Sequence, residues 1–333
     1  MSIRKLLSLC AVFLLSLVIA ISCTPVPETP TSTIIMGYSN WMGWWPWAIA
    51  EQEGLFEANG AKVELKWFNS YQESLAALAT GELDANCQTL NDTIAFASDS
   101  SNGEVIVLVN DNSAGNDKII VSEKINSIQE LKGKTVALEA GVVDDFLLSL
   151  ALKENGMSRE DIKIENLDTE VAATAFAEGK FDAVGAFPPF WLTALKRPGS
   201  KELISSKDFP GAIPDLLVVS QKLIEEQPQQ VQALVNTWFA TLDFMAKNPE
   251  KSEEIMAKLA NVSVEDFQLF KKGTKIFTLQ DNLKAFRPGN NIKSLSFAAQ
   301  IISDFLMNVK LIEQPPDLNN LFDDRFVKAY AQS

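Results

Sequence analysis

The 333-residue chain contains no histidine, which removes the commonest general base near neutral pH and the commonest transition-metal ligand. Its 43 acidic and 29 basic residues give a formal net charge of −14, which disfavours nucleic acid and anionic lipid head groups as partners. We therefore expect a protein that is not an enzyme, with no cofactor and no metal site.

Residues 1–22 predict a cleaved export signal. Two basic residues precede an apolar run from Leu6 to Ile21, which has the length of a signal-peptide core and is short for a bilayer span. The run ends in Ala20-Ile21-Ser22-Cys23, which resembles the lipobox of bacterial lipoproteins, although Ala20 departs from the usual Leu. An uncleaved anchor helix and an ordinary signal in which Cys23 has no role stay open. All three interpretations put the remainder of the chain outside the cytoplasm.

Residues 23–33 predict a lipid-modified Cys23 followed by a flexible tether. The sequence TPVPETPTST is rich in Pro, Ser and Thr and has no apolar periodicity, so it cannot bury itself. Since Cys10 leaves with the signal and Cys23 would carry lipid, Cys87 is the remaining thiol and no intramolecular disulfide can form. We expect a monomer that is held at the membrane through its lipid.

An internal repeat indicates the architecture. The segment Leu78–Ala85 (LATGELDA) aligns with Phe176–Ala183 (FAEGKFDA) at Ala, Gly, Asp and Ala. Upstream of each segment, a predicted helix ends at a glycine before a strand; these pairs are Pro46–Asn59 with Val63–Phe68, and Asp144–Asn155 with Ile162–Leu167. Each copy has the β-α-β-α-β order of a parallel sheet. We predict two α/β lobes, and one large α/β sheet is the alternative.

The remaining segment, 213–333, is predicted to be mostly helical. Six apolar residues at helical spacing form one stripe, namely Val231, Leu234, Val235, Trp238, Phe239 and Leu242. Asn248-Pro249 ends that helix, because proline cannot continue the hydrogen-bond ladder. We assign these helices to packing around the first lobe.

The repeat also predicts where a binding site lies. Ligands of open α/β sheets lie beyond the carboxyl ends of the strands. Four loops follow such strands, namely Ser39–Trp47, Thr89–Thr93, Glu139–Asp145 and Phe187–Trp191. Two lobes would close these loops on one solute.

Three segments carry a resemblance to a known family. GYSN at 37–40, AEQEGLFEANGAKVEL at 50–65 and IQELKGKTV at 128–136 resemble the nitrate, taurine and aliphatic-sulfonate type of ABC-importer binding proteins, within the thiamine-precursor-binding superfamily. The resemblance implies a two-lobed periplasmic binding protein fold, type II-like, in which each lobe is a mostly parallel sheet flanked by helices.

The resemblance also implies lobe boundaries and partners. Lobe 1 would comprise 34–115 plus 216–333 and lobe 2 116–215, joined by the crossing strands Lys118–Val121 and Leu216–Ser220. A membrane permease and an ATPase would be the partners. One enzymatic branch of the superfamily relies on an active-site histidine and a neighbouring cysteine, which this chain lacks. A periplasmic sensor of the same fold is the non-transport alternative.

Aromatic residues dominate the first loop. Four of the seven tryptophans lie between Trp41 and Trp47, and indole faces attract cations and planar groups. Pro46 begins a helix, so we assign Trp45 and Trp47 to the core and Trp41 and Trp44 to the ligand wall. In the fourth loop, Phe187 is the ligand candidate, and a rigid turn with core aromatics is the alternative there.

The second and third loops contribute acidic side chains. Asn91, Asp92, Glu139 and Asp144 are the ligand candidates, and for Asp144 or Asp145 alone a helix-capping role is the stronger interpretation. None of the four loops contains Lys or Arg. A buried carboxylate without a counter-charge is costly, so the pattern favours a compact cationic solute, guanidine-like compounds first. Taurine, aliphatic sulfonates and nitrate are the alternative solutes that the resemblance implies.

Overall fold

The computed structural model describes residues 32–97 and 100–333. The predicted signal peptide, Cys23 and most of the tether lie outside the described residues. Within the described ranges, every helix is too short or too polar to span a lipid bilayer.

Two β-sheets organise the described residues. The first sheet has the strand order β11-β4-β10-β3-β1-β2, and the second has the order β7-β6-β8-β5-β9. The strands are β1 (Ile34–Tyr38), β2 (Val63–Trp67), β3 (Ala85–Thr89), β4 (Glu104–Ser113), β5 (Lys118–Val121), β6 (Thr135–Leu138), β7 (Lys163–Asn166), β8 (Ala183–Ala186), β9 (Lys201–Ser205), β10 (Pro214–Ser220) and β11 (Thr274–Ile276). Each sheet with its flanking helices forms one lobe, which confirms the predicted two-lobed α/β fold class.

Helices cover both sheets. They are α1 (Pro46–Gln52), α2 (Leu55–Ala58), α3 (Tyr71–Ala79), α4 (Leu90–Phe96), α5 (Val143–Glu154), α6 (Thr169–Ala177), α7 (Phe190–Ala194), α8 (Gln221–Glu226), α9 (Pro228–Lys247), α10 (Pro249–Leu259), α11 (Val264–Lys272), α12 (Leu279–Ala285), α13 (Leu295–Asn308) and α14 (Arg325–Tyr330). The predicted helix over Pro46–Asn59 is divided, because Gly54 takes the left-handed conformation with φ +67° and ends the first segment.

The internal repeat corresponds to two units of the same topology. β1 pairs in parallel with β2 and β3, and β6 pairs in parallel with β7 and β8. The repeated aspartate has the same role in each unit, since Asp84 accepts a hydrogen bond from the Ile35 N–H (2.9 Å) and Asp182 accepts one from the Thr135 N–H (3.2 Å). The aspartate therefore fixes the start of the first strand of each unit, which explains why both copies carry it.

The chain passes between the sheets twice, after β4 and after β9. The two passages contact each other, because the Ser113 and Ser206 hydroxyls lie 2.6 Å apart and the Ser206 N–H donates to the Asp117 carbonyl (2.9 Å). β5 spans the predicted outward strand, and β10 begins at Pro214, two residues before the predicted return. The exact lobe boundaries stay a prediction.

The C-terminal helices pack on both lobes rather than on the first alone. In α9 the predicted stripe is buried except for Leu242, which is half-buried, and Trp238 packs against Trp47 of α1 with ring centroids 4.9 Å apart. In α11, Phe270 contacts Trp45 of the first lobe and Trp191 of the second. The apolar stripes therefore hold the two lobes together as well as covering the first sheet.

Replacing Trp238 tests this packing. Trp238→Ala should lower the free energy of unfolding by about 3–5 kcal/mol, because a fully buried indole leaves a cavity against Trp47. Val171→Ala is the control, since Val171 is 52% exposed and its truncation should change stability by less than about 0.5 kcal/mol. Urea unfolding at 25 °C measures both, and equal small effects would contradict the packing described.

Candidate functional site

A small cavity lies between the lobes, where the carboxyl ends of β1, β3, β6 and β8 meet. Its volume is about 10 Å³, which is room for about one water molecule. The lining residues are Asn40, Trp41, Trp44, Tyr71, Thr89, Asp117, Val143, Phe187 and Asp215. All four predicted loops contribute to it. A solute larger than water can bind here only when the walls move apart.

Four of the nine residues that line the cavity are aromatic. Trp41 and Trp44 are each 3% exposed, with ring centroids 6.3 Å apart, and Trp44 lies 5.4 Å from the ring of Tyr71. Among the described residues, the Trp44 indole N–H has no hydrogen-bond partner. Phe187 closes the wall from the second lobe.

Two other tryptophans of the first loop belong to the core, as predicted. Trp45 packs against Phe267 and Phe270, and Trp47 stacks on Phe56. Both are fully buried. The helix that Pro46 begins turns these two rings away from the cavity.

A pair of carboxyl groups supports Trp41. Asp111 of β4 and Asp215 of β10 are cross-strand neighbours, and because burial raises the pKa of both carboxyl groups, a proton can lie between them. The Trp41 indole N–H donates to both oxygens of Asp111, at 3.1 and 3.3 Å. Gly43 permits this approach, because a Cβ there would lie 1.6 Å from an Asp111 oxygen.

Asp144 and Asp145 have different roles at the start of α5. Asp145 accepts a hydrogen bond from the Gly141 N–H (2.9 Å) and pairs with Arg159 through two nitrogens, at 2.9 and 2.6 Å. Asp144 is fully buried, and neither of its carboxylate oxygens has a partner among the described residues. The capping interpretation is therefore wrong for Asp144.

Asp92 lies behind the wall and is well supplied with donors. Its carboxylate accepts from the Tyr71 hydroxyl (2.8 Å), the Thr89 hydroxyl (2.7 Å) and the Asn91 amide (2.6 Å). The side-chain oxygen of Asn91 has no partner in the described part of the chain. Neither Asn91 nor Asp92 lines the cavity, so their direct contact with a solute stays a prediction.

Glu139 lies at the end of β6. One carboxylate oxygen accepts from both the backbone N–H and the hydroxyl of Thr169, each at 3.0 Å, while the other oxygen has no partner within the described ranges. Like Asp144, it does not line the cavity, and its role as a ligand also stays a prediction.

Burial makes these acids hold their protons. Desolvation raises the pKa of Asp92 to about 7, of Asp111 to about 8 and of Asp117 to about 6. The pKa values of Asp144 and Asp215 are raised well above the ordinary aspartate value, first by desolvation and then by the negative charge of neighbouring carboxylates. The negative charge of Asp117 contributes to the raised pKa of Asp92, Asp111, Asp144 and Asp215.

None of the described lysines and arginines lines the cavity, and two that lie near the site residues form ion pairs. Lys118 follows Asp117 but pairs with Glu202, and Arg159 pairs with Asp145. Among the described residues, no group of three or more His, Cys, Asp or Glu side chains has the arrangement of a metal site. The site therefore offers hydrogen-bond acceptors and aromatic faces, with the Trp44 N–H as one available donor.

Sequence reasoning did not identify Tyr71, Asp111, Asp117 and Asp215 as site residues. For Asp111 and Asp215 a signal was present, because each is an acid within an otherwise buried apolar strand. Asp117 and Tyr71 carried no comparable signal, since one lies in a passage between lobes and the other at a helix start.

The pH dependence of stability tests the acid cluster. An unfolded aspartate has a pKa of about 3.9, so the folded protein binds more protons, and this stabilisation is complete below about pH 4 and is lost as pH rises through 6–8. The Tm of the ligand-free protein should fall from pH 5 to pH 8.5. Asp117→Asn should reduce that slope, because Asn does not titrate. A Tm that rises over this range would contradict the raised pKa values.

Two mixed sheets that each contain a parallel β-α-β-α-β unit, two passages of the chain and a cavity between the carboxyl ends of the strands define a two-lobed binding-protein class. Residues 27–261 match the model of the NMT1-like family, and the chain belongs to that family.

Two relatives by sequence and one solved structure are also binding proteins by name. A predicted binding protein of Brucella abortus (strain 2308) is 28% identical over 78% of this chain and 81% of its own length. The taurine-binding periplasmic protein of Escherichia coli (strain K12) is 26% identical over 71% of this chain and 76% of its own length. The crystal structure of the periplasmic aliphatic sulphonate binding protein SsuA from Escherichia coli superimposes with a TM-score of 0.71 at 21% identity, covering 88% of this chain and 93% of that one.

Proposed function

We propose that the chain is the extracytoplasmic solute-binding component of an ABC importer and delivers its solute to a membrane permease and ATPase. Membership of the NMT1-like family and similarity to periplasmic binding proteins support this proposal. The relatives compared above are described as binding proteins, and we propose binding without turnover here as well.

We further propose that the solute is a small organic cation. The supporting observation is Asp144, a fully buried carboxylate whose two oxygens have no partner among the described residues. Burial of a carboxylate without a counter-charge or donors is strongly unfavourable. A cation in the cavity region would supply both charge and donors.

Hydrogen bonding narrows the class of cation. The oxygens of Asp117, Glu139 and Asp215 that have no partner within the described ranges, like those of Asp144, are acceptors. They suit a solute that carries several N–H groups, and a planar one can also stack on Trp41 or Trp44. Guanidine and similar compounds meet both conditions. Choline lacks N–H groups and should bind more weakly.

Taurine, an aliphatic sulfonate or nitrate is the second candidate, because relatives are named for taurine and sulfonates. The sulfonate or nitrate group of such a solute would accept a hydrogen bond from the Trp44 N–H but would face the carboxyl groups of Asp117 and Asp215, which also line the cavity. Whichever of these carboxyl groups is ionised repels an anionic group, so the cation is our first proposal.

Calorimetry separates the candidates. Guanidinium should bind the mature protein, while taurine, nitrate and urea should produce no binding heat at the same concentrations. Binding should tighten from pH 5.5 to pH 8, because the cation replaces protons on carboxylates whose pKa values lie near 6–8. Binding of taurine or nitrate without binding of guanidinium would end the cation proposal.

Substitution of Asp144 tests its role. Asp144→Asn should weaken guanidinium binding by about 2 kcal/mol or more, because it removes a desolvated charge partner. Glu104→Gln is the matched control, since Glu104 is also buried with a pKa raised by desolvation to about 7, but it accepts a hydrogen bond from Gln88 and lies on β4 of the first sheet, outside the predicted loops. Similar losses in both variants would contradict a specific role for Asp144.

The lipid anchor is a separate proposal that rests on the sequence around Cys23. Cells that express the chain should incorporate labelled palmitate into it and retain it in the membrane fraction. Cys23→Ser should abolish both, because acylation requires the thiol, whereas Cys87→Ser, a change at a buried cysteine, should abolish neither. Labelling that persists in Cys23→Ser would refute the anchor.

A further inference from the structure

A second, larger cavity adjoins the first between the same two lobes. Its volume is about 970 Å³, against about 10 Å³ for the inner cavity. We name it the outer vestibule, and it is lined by Trp67, Asn69 and Leu259 of the first lobe and by Thr174, Phe190 and Leu192 of the second, among others.

Two features connect the cavities. Asn40 lines both of them. Phe187 lines the inner cavity and Phe190 lines the outer vestibule, and their rings are in edge contact with centroids 5.6 Å apart. A group that extends from the inner cavity past Asn40 would therefore enter the outer vestibule along an aromatic surface.

The chemistry of the outer vestibule differs from that of the inner cavity. Its apolar lining includes Trp67, Phe190, Leu192, Leu259 and Val262, and the uncharged polar lining residues are Asn40, Asn69, Thr174, Thr193, Asn261 and Ser263. Its charged residues are balanced in sign, namely Lys196, Lys258, Glu170 and Asp266. Balanced charge gives little net attraction for an ion, whereas apolar side chains gain from covering hydrocarbon.

We propose that the outer vestibule is a second binding subsite, which holds an uncharged aliphatic or aromatic substituent of the cation whose charged head lies in the inner cavity. This inference rests on the proposed function. It assigns the solute class as N-substituted guanidinium or amidinium compounds. The inner cavity recognises the charge, and the outer vestibule selects the substituent.

The subsite is tested by comparing guanidinium with n-butylguanidinium in calorimetric titrations of the mature protein. The butyl compound should bind at least about tenfold more tightly, because burying methylene groups is favourable. Leu192→Asn should reduce this advantage to less than about threefold while leaving guanidinium affinity unchanged, since Leu192 lines only the outer vestibule.

Leu195→Asn is the matched control. Leu195 follows the same short helix α7, is 38% exposed and does not line the vestibule, so the advantage of the butyl group should persist. If guanidinium binds and the butyl compound binds equally or less tightly, the subsite is refuted and the proposed function stands. If neither cation binds, both proposals are overturned.

Discussion

Carboxyl groups buried without a counter-charge are the constraint on which the site depends. Burial raises the pKa of both Asp111 and Asp215, so a proton can lie between these neighbours, and Asp111 accepts the Trp41 indole N–H. Gly43 is required next to them, since any side chain at this position would overlap Asp111. Neither carboxylate oxygen of Asp144 has a hydrogen-bond partner among the described residues, so this carboxylate must be neutralised by a proton or paired with a cationic solute.

The two-lobed architecture is what allows such a cluster to exist. Asp111 and Asp215 come from the first sheet, Asp144 comes from the second lobe, and Asp117 lies where the chain passes between them. Because these acids are buried, a carboxylate among them needs a proton or a cation.

Local patterns predicted much of this molecule. The repeat predicted both β-α-β-α-β units, because helix caps and buried strands depend on neighbouring residues. The same pattern located the four loops that surround the cavity. The helix start at Pro46 assigned Trp41 and Trp44 to the ligand wall, and these two rings line the cavity although they are also packed in the core. The break at Gly54 was missed, since a glycine within a helical pattern does not by itself end a helix.

The sequence by itself determined an acidic, histidine-free chain with two α/β units, a tryptophan-rich first loop and no basic residue in the site loops. Only the tertiary structure decided which acids meet. The antiparallel register of β4 and β10 places Asp111 opposite Asp215, and Arg159 pairs with Asp145, while Asp144 has no partner among the described residues. Register and lobe contact join residues distant in the chain, and no local spacing encodes those distances.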